Sequence, residues 1–243
     1  MQRVVSVESG VSRRGAEVFK MCEGAAESST PDERRLVAPR TMWWKRPLDV
    51  AISAPLVAVL LPLLGLLGLL VRLESRGPIF YRQERVGLAG RRFQILKLRT
   101  MHVNNDQNAH REAALRWFAG HANGNGYKSL DDPRITRVGR VLRRLSLDEL
   151  PQLLNVLRGD MSLVGPRPAI PYELEFYEPS YFQRQNVPPG ITGLWQVSGR
   201  DRVSAARMIE SDLRYVRDVS LWLDLKILAR TGPAVVAAAL SRP

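Results

Sequence analysis

Residues 50–71 read VAISAPLVAVLLPLLGLLGLLV, 22 residues without a charge. A buried core helix is rarely apolar on every side for this length. An uncharged run of about 18 residues or more reads as a membrane segment. Two features complicate a simple span. Pro62 lies near the middle and removes a helical hydrogen bond. Cations flank both ends, with Lys45 and Arg46 before the run and Arg72, Arg76, Arg82 and Arg85 after it. The positive-inside bias wants both ends on the cytoplasmic side. A helix that enters, bends at Pro62 and returns to the same face satisfies both facts. A tilted, kinked single span also accommodates a membrane proline. The residues alone leave the two topologies open.

On the N-terminal side, residues 1–41 mix polarity and charge with no sustained apolar period, which reads as a polar arm. The whole chain has 243 residues, 45% of them hydrophobic, enough to bury one core. Lys and Arg number 36 against 24 acids, so the natural partners are anionic: nucleic acid, anionic lipid or a phosphorylated substrate. The single cysteine, Cys22, excludes an internal disulfide and a cysteine-based zinc site. His102, His110 and His121 lack ligand spacing and read as surface residues.

On the C-terminal side, Ile79–Tyr81 and Phe93–Leu98 look like short strands joined by a turn at 87–90. Lys97 and Arg99 alternate with apolar residues and would share a face. Residues 107–119 suggest a helix, and GHANGNG at 120–126 a loop, either a connector or a lid. Residues 149–158 form a short helix with an apolar stripe of Leu150, Leu153, Leu154 and Leu157, and Gly159 is its stop. VGPRP at 164–168 is a rigid turn presenting Arg167, and 188–200 is rich in turns. Helical patterns return at 203–217 and 221–231. The tail AVVAAAL is too short to span.

The chemistry concentrates at RRLSLDELPQ, residues 143–152. Ser146 and Glu149 fit a capping box, but that register would put Pro151 where a backbone N–H is needed. With Asp148 as N-cap, Pro151 misses no N–H. Arg143, Arg144 and Arg167 around this helix start suit a phosphate. A carboxylate among them can act as nucleophile toward phosphorus or hold Mg²⁺ beside a diphosphate. Structural salt bridges to Asp148 and Glu149 explain the same residues equally well.

Several motifs in order then resemble one family. They are KRPLDV (45–50), PIFYRQERVG (78–87), FQILKLRTM (93–101), DPRITRVGRVLRRLSLDELPQLLNVLRGDMSLVGPRP (132–168), PGITGLWQVSGR (189–200) and DLRYVRDVSLWLDLKIL (212–228). The chain resembles the bacterial sugar transferases, the monotopic phosphoglycosyl transferases that pass a phosphosugar from a nucleotide sugar to polyprenyl phosphate. The resemblance implies an α+β, mostly helical protein. It divides into the polar arm at 1–41, a re-entrant membrane helix-break-helix at 42–76 bent at Pro62, and a compact cytoplasmic catalytic domain at 77–243. It would enter one leaflet of the bacterial inner membrane from the cytoplasmic face.

The resemblance also assigns roles. Asp148 and Glu149 match the family's catalytic pair. Asp148 would attack the sugar-linked phosphorus of a UDP-sugar and release UMP, and polyprenyl phosphate would then take the phosphosugar. Mg²⁺ would sit at Asp148, and Glu149 would assist as base or positioner. Arg143 and Arg167 match phosphate-binding positions, with Lys97 and Arg99 as further candidates. This would be the first membrane step of exopolysaccharide, capsule or O-antigen synthesis, with hexoses such as glucose or galactose favoured. The partners implied are the UDP-sugar, polyprenyl phosphate and an anionic membrane, not nucleic acid, and homo-oligomerisation is left open.

The chain departs from the family pattern in three places. Leu61 stands where members often have Ser before the bending proline. Pro188 stands where many have Arg in Arg-Pro-Gly. The multi-span N-terminal module of larger members is replaced by the polar arm, as in the small catalytic form. The rival readings are a basic membrane-anchored binding protein without catalysis, and a transferase that moves sugar alone and leaves UDP.

Overall fold

The computed structural model describes residues 42–103, 112, 117–118, 132–199 and 203–241. The expected arm at 1–41, His110, His121 and the loop at 120–126 lie outside the described residues. So does most of the expected helix at 107–119, of which Glu112, Trp117 and Phe118 are helical. The described residues are α+β and mostly helical, as the sequence implies.

Helix α1 (Lys45–Glu74) carries the apolar run. Its helical assignment continues without interruption through Pro55 and Pro62, so no break is seen at the proline. Each proline removes one donor, which a long helix tolerates where its other hydrogen bonds remain. One stripe of α1 is packed. Lys45, Asp49 and Ser53, then Leu67 and Val71, recur every fourth residue and are buried. The other faces are open: Val59 is 75% exposed, and Leu61, Leu66, Leu69 and Leu73 are exposed with it. Among the described residues this is the one helix long and apolar enough to cross a membrane.

Strands β1 (Phe80–Val86) and β2 (Arg92–Leu98) pair antiparallel, with Tyr81 opposite Lys97 and Glu84 opposite Gln94. Strand β1 is longer than the expected Ile79–Tyr81. Its middle, RQE, is too polar to read as a strand, but this hairpin is partly exposed and needs no apolar alternation there. Leu98 carries the hairpin into a small core with Leu67, Val71 and Leu142.

Next come α2 (Arg137–Leu145), a one-turn 3₁₀ helix at Leu147–Glu149, and α3 (Gln152–Arg158). Gly159 ends α3 with φ 88°, as expected of this stop. Strand β3 (Ser162–Val164) pairs in parallel with β4 (Gly190–Thr192). A Cβ on Gly165 would lie 2.3 Å from the Pro188 carbonyl oxygen, so the GPRP and PPG turns pack at backbone distance. Short α4 (Leu194–Val197) follows, then α5 (Ala205–Asp218), capped by the Ser204 hydroxyl.

Helix α6 (Leu221–Ser241) outruns the expected 221–231, because the apolar tail stays helical beyond Pro233. The main core joins β2, α3, β3, α5 and α6 through Ile95, Val156, Leu163, Tyr215 and Ile227.

Candidate active site

Local geometry sets the acidic pair. Thr136 caps α2 by accepting a hydrogen bond from the Gly139 N–H at 2.9 Å. Gly139 has no room for a side chain, since a Cβ there would lie 2.2 Å from the Thr100 carbonyl oxygen. One turn on, Arg143 Nε donates to Thr100 Oγ1 at 2.8 Å. The helix then stops at Ser146, which adopts the left-handed conformation (φ 59°, ψ 21°). Ser146 therefore ends α2 and precedes the 3₁₀ turn without a side-chain cap bond to it, so the capping box that Pro151 argued against is not formed. Asp148 is not an N-cap: the pair lies on the 3₁₀ turn, and α3 starts after Pro151. Pro151 fixes this register, because at the helix start its missing N–H is not needed.

Asp148 is only 9% exposed. Its neighbour Glu149 accepts from Lys97 Nζ at 2.8 Å, with both side chains less than a fifth exposed. Arg143 is a third member. Burial lowers the pKa of its guanidinium, and the carboxylates of Asp148 and Asp132 oppose that shift. Asp132 is bound by Arg134, which donates from its backbone N–H and from Nε and Nη2 at 2.6 to 3.0 Å. The side-chain hydrogen bond from Arg134 holds the Asp132 carboxyl below its usual range. Asp132 and Arg134, at the head of the DPRIT stretch, were not singled out by the sequence reading. Their position at the start of a long motif was the available signal.

The other candidates lie elsewhere. Arg99 is buried, and its side chain donates to the end of α1: the carbonyls of Arg76 (2.6 Å), Ser75 (2.7 Å) and Val71 (3.4 Å). In this arrangement the side chain caps the helix end. The Arg99 backbone N–H still bonds the Ile79 carbonyl at 2.9 Å, one residue past the end of β2. Arg167 grips Glu173 through both Nη atoms at 2.9 to 3.2 Å. Arg184, Asp212 and Tyr177 complete this second cluster, with Arg184 donating to Asp212 at 2.6 Å and to the Tyr177 hydroxyl. Burial works against ionisation of Glu173, yet Arg167 and Arg85 hold its carboxyl below the usual range. For Asp212 burial prevails over Arg184, and the carboxyl is pushed up. None of Glu173, Arg184 or Asp212 was legible as a cluster, because they meet only through the fold.

No group of three His, Cys, Asp or Glu side chains able to hold a metal occurs among the described residues. Magnesium usually takes one or two carboxylates and completes its shell with water and substrate phosphate. Asp148, with Glu149 beside it, fits that need.

The family model described as bacterial sugar transferase matches residues 40–238. The chain belongs to the bacterial sugar transferase family. It is an enzyme, a phosphoglycosyl transferase. A UDP-glucose:undecaprenyl-phosphate glucose-1-phosphate transferase of Caulobacter vibrioides is 47% identical over 79% of this chain and 69% of its own length. The exopolysaccharide production protein ExoY of Rhizobium meliloti is 42% identical over 84% of this chain and 91% of its own. An undecaprenyl-phosphate galactose phosphotransferase of Salmonella typhimurium is 39% identical, over 84% of this transferase but only 43% of its own chain.

Proposed function

We propose that this enzyme transfers glucose 1-phosphate or galactose 1-phosphate from a UDP-sugar to undecaprenyl phosphate, in exopolysaccharide synthesis, with Asp148 as nucleophile. One observation carries the assignment: a nearly buried carboxylate on a tight turn, with Arg143 close by and its neighbour Glu149 held by Lys97. Relatives named for glucose and for galactose transfer share the family, and they support these hexoses as the sugar.

An Asp148 oxygen attacks the phosphorus that bears the sugar. The bond from that phosphorus to the UMP oxygen breaks, and UMP leaves with the electron pair. Undecaprenyl phosphate then attacks the same phosphorus, and the bond to Asp148 breaks, restoring the carboxylate. Arg143 is placed to meet phosphate charge. Lys97 orients Glu149 and keeps a second negative charge from facing the incoming diphosphate alone. Asp148, with the substrate's phosphate oxygens, would hold Mg²⁺, which when bound neutralises diphosphate charge.

A one-leaflet seat on the cytoplasmic face of the inner membrane completes the proposal. Its support is that both ends of α1 are bonded into one compact unit. At the start, Lys45 pairs with Asp224 at 3.0 Å and Arg46 donates to the Val156 and Leu157 carbonyls at 2.6 Å. At the finish, Glu74 and Arg99 bind the helix to α2 and β2. A body that holds both ends favours one side of the bilayer, with the exposed apolar middle entering it. The bend at Pro62 belongs to this proposal.

The test is nucleotide release. Purified protein with Mg²⁺, undecaprenyl phosphate and a panel of UDP-sugars is expected to give UMP from one hexose donor. UDP as product would mean sugar transfer alone. Asp148→Asn is expected to lose transfer and the covalent phosphosugar adduct seen by intact mass. An active variant would remove Asp148 from its role.

A further inference from the structure

The end of the membrane helix is bonded to both elements that carry the acidic site. Glu74 accepts from the backbone N–H groups of Arg137 at 2.7 Å and Val138 at 2.9 Å. These open α2, and their N–H groups have no partner within that helix. A carboxylate there also complements the helix dipole. The far end of α2 holds Arg143 and turns at Ser146 into Asp148.

The second bond is Arg99, which caps the last carbonyls of α1. Its neighbours in sequence reach different partners. Lys97 holds Glu149, Leu98 packs on Leu67, Val71 and Leu142, Arg99 caps α1, and Thr100 accepts from Arg143. Residues 97–100 thus connect the acidic turn and the membrane helix through four successive side chains. Glu74 bonds to the start of α2 and Arg99 to the end of α1, so their effect on chemistry passes through those elements.

We propose that Glu74 and Arg99 are positioning residues that make the end of the membrane helix part of the active-site frame. The seating of α1 in the bilayer then sets where Arg143 and Lys97 stand around the acidic pair. The inference rests on the reading of Asp148 as nucleophile. Displacements of about 1 Å at such a site can cost about a hundredfold in rate, so a cap this near is expected to matter.

The test compares wild type, Glu74→Ala and Glu74→Gln in phosphatidylethanolamine–phosphatidylglycerol nanodiscs. Glu74→Ala removes the cap, while Glu74→Gln keeps an acceptor oxygen for it. The kcat for UMP release is expected to fall about tenfold or more in Glu74→Ala, with KM for the UDP-sugar within about threefold. Glu74→Gln is expected to recover to within about threefold of wild type. Amide hydrogen exchange is read on the same samples. In Glu74→Ala it is expected to rise along α2 as far as residues 147–149 and to stay unchanged in β3, β4 and α5. Wild-type kcat in Glu74→Ala, or loosening confined to the first turn of α2, would overturn the proposal. Exchange is measured without turnover. A wild type that releases no UMP from any donor would therefore count against the nucleophile, while the exchange pattern still decides the junction.

Discussion

Lys97 meets Glu149 at 2.8 Å, where little solvent screens the pair. Removing the ammonium takes this cation from a largely buried carboxyl that neighbours Asp148. Lys97→Ala is therefore expected to lower kcat/KM by roughly 10- to 100-fold, with Lys97→Arg retaining more; steady-state kinetics on the UDP-sugar checks both. Asp132 offers a test by pH. Arg134 holds its folded pKa below the unfolded value of about 3.9. Its contribution, on the order of 1 kcal/mol, is thus present above about pH 4 and is lost as pH falls through the folded value. Asp132→Asn should lower Tm at pH 7, and the difference from wild type should shrink progressively as pH falls below about 4, read by scanning fluorimetry in detergent. At this scale the sequence was informative for Asp148, Glu149, Arg143 and Lys97, since an acidic pair amid arginines is visible in the letters. The bonds of Arg99 to the end of α1 were not legible, because they join residues more than 20 positions apart.

Helix α2 works as a strut whose angle is set at one residue. Gly139 lets it lie against the Thr100 backbone. Gly139→Ala forces the strut away. Overpacking of this kind costs about 1 to 3 kcal/mol. The expected result is a lower Tm together with a loss of UMP release, because Arg143 and the acidic turn move with the helix. An element boundary was legible where a stop signal was local: Gly159 ends α3. Boundaries were not legible where packing decided. The polar centre of β1 reads as loop, and it is a strand because β2 pairs with it. The 3₁₀ turn at Leu147–Glu149 also escaped, since its cause is a left-handed serine that periodicity does not reveal.

Across the molecule, the apolar run announced a membrane contact, but its packed stripe could not be read from a segment apolar on all sides. Only contacts between distant residues single out that stripe, and they also sharpen the topology experiment. Trp43 and Arg76 flank α1 and are exposed, so cysteines placed there in a Cys22→Ser background can be reached by a reagent. Both are expected to label from the cytoplasmic side in inverted membrane vesicles. Labelling from opposite sides would sink the one-leaflet seat.

The bond between Lys45 and Asp224 also has a consequence in time. Its partners lie 179 residues apart. A ribosome adding about 5 to 20 residues per second makes Asp224 roughly 10 to 35 seconds after Lys45. Throughout that interval the nascent helix carries a lysine whose counter-ion has not yet been synthesised. The partners of the other end, Arg99, Arg137 and Val138, are made well before Asp224, so the body closes on α1 from the Glu74 end first and reaches the Lys45 end last.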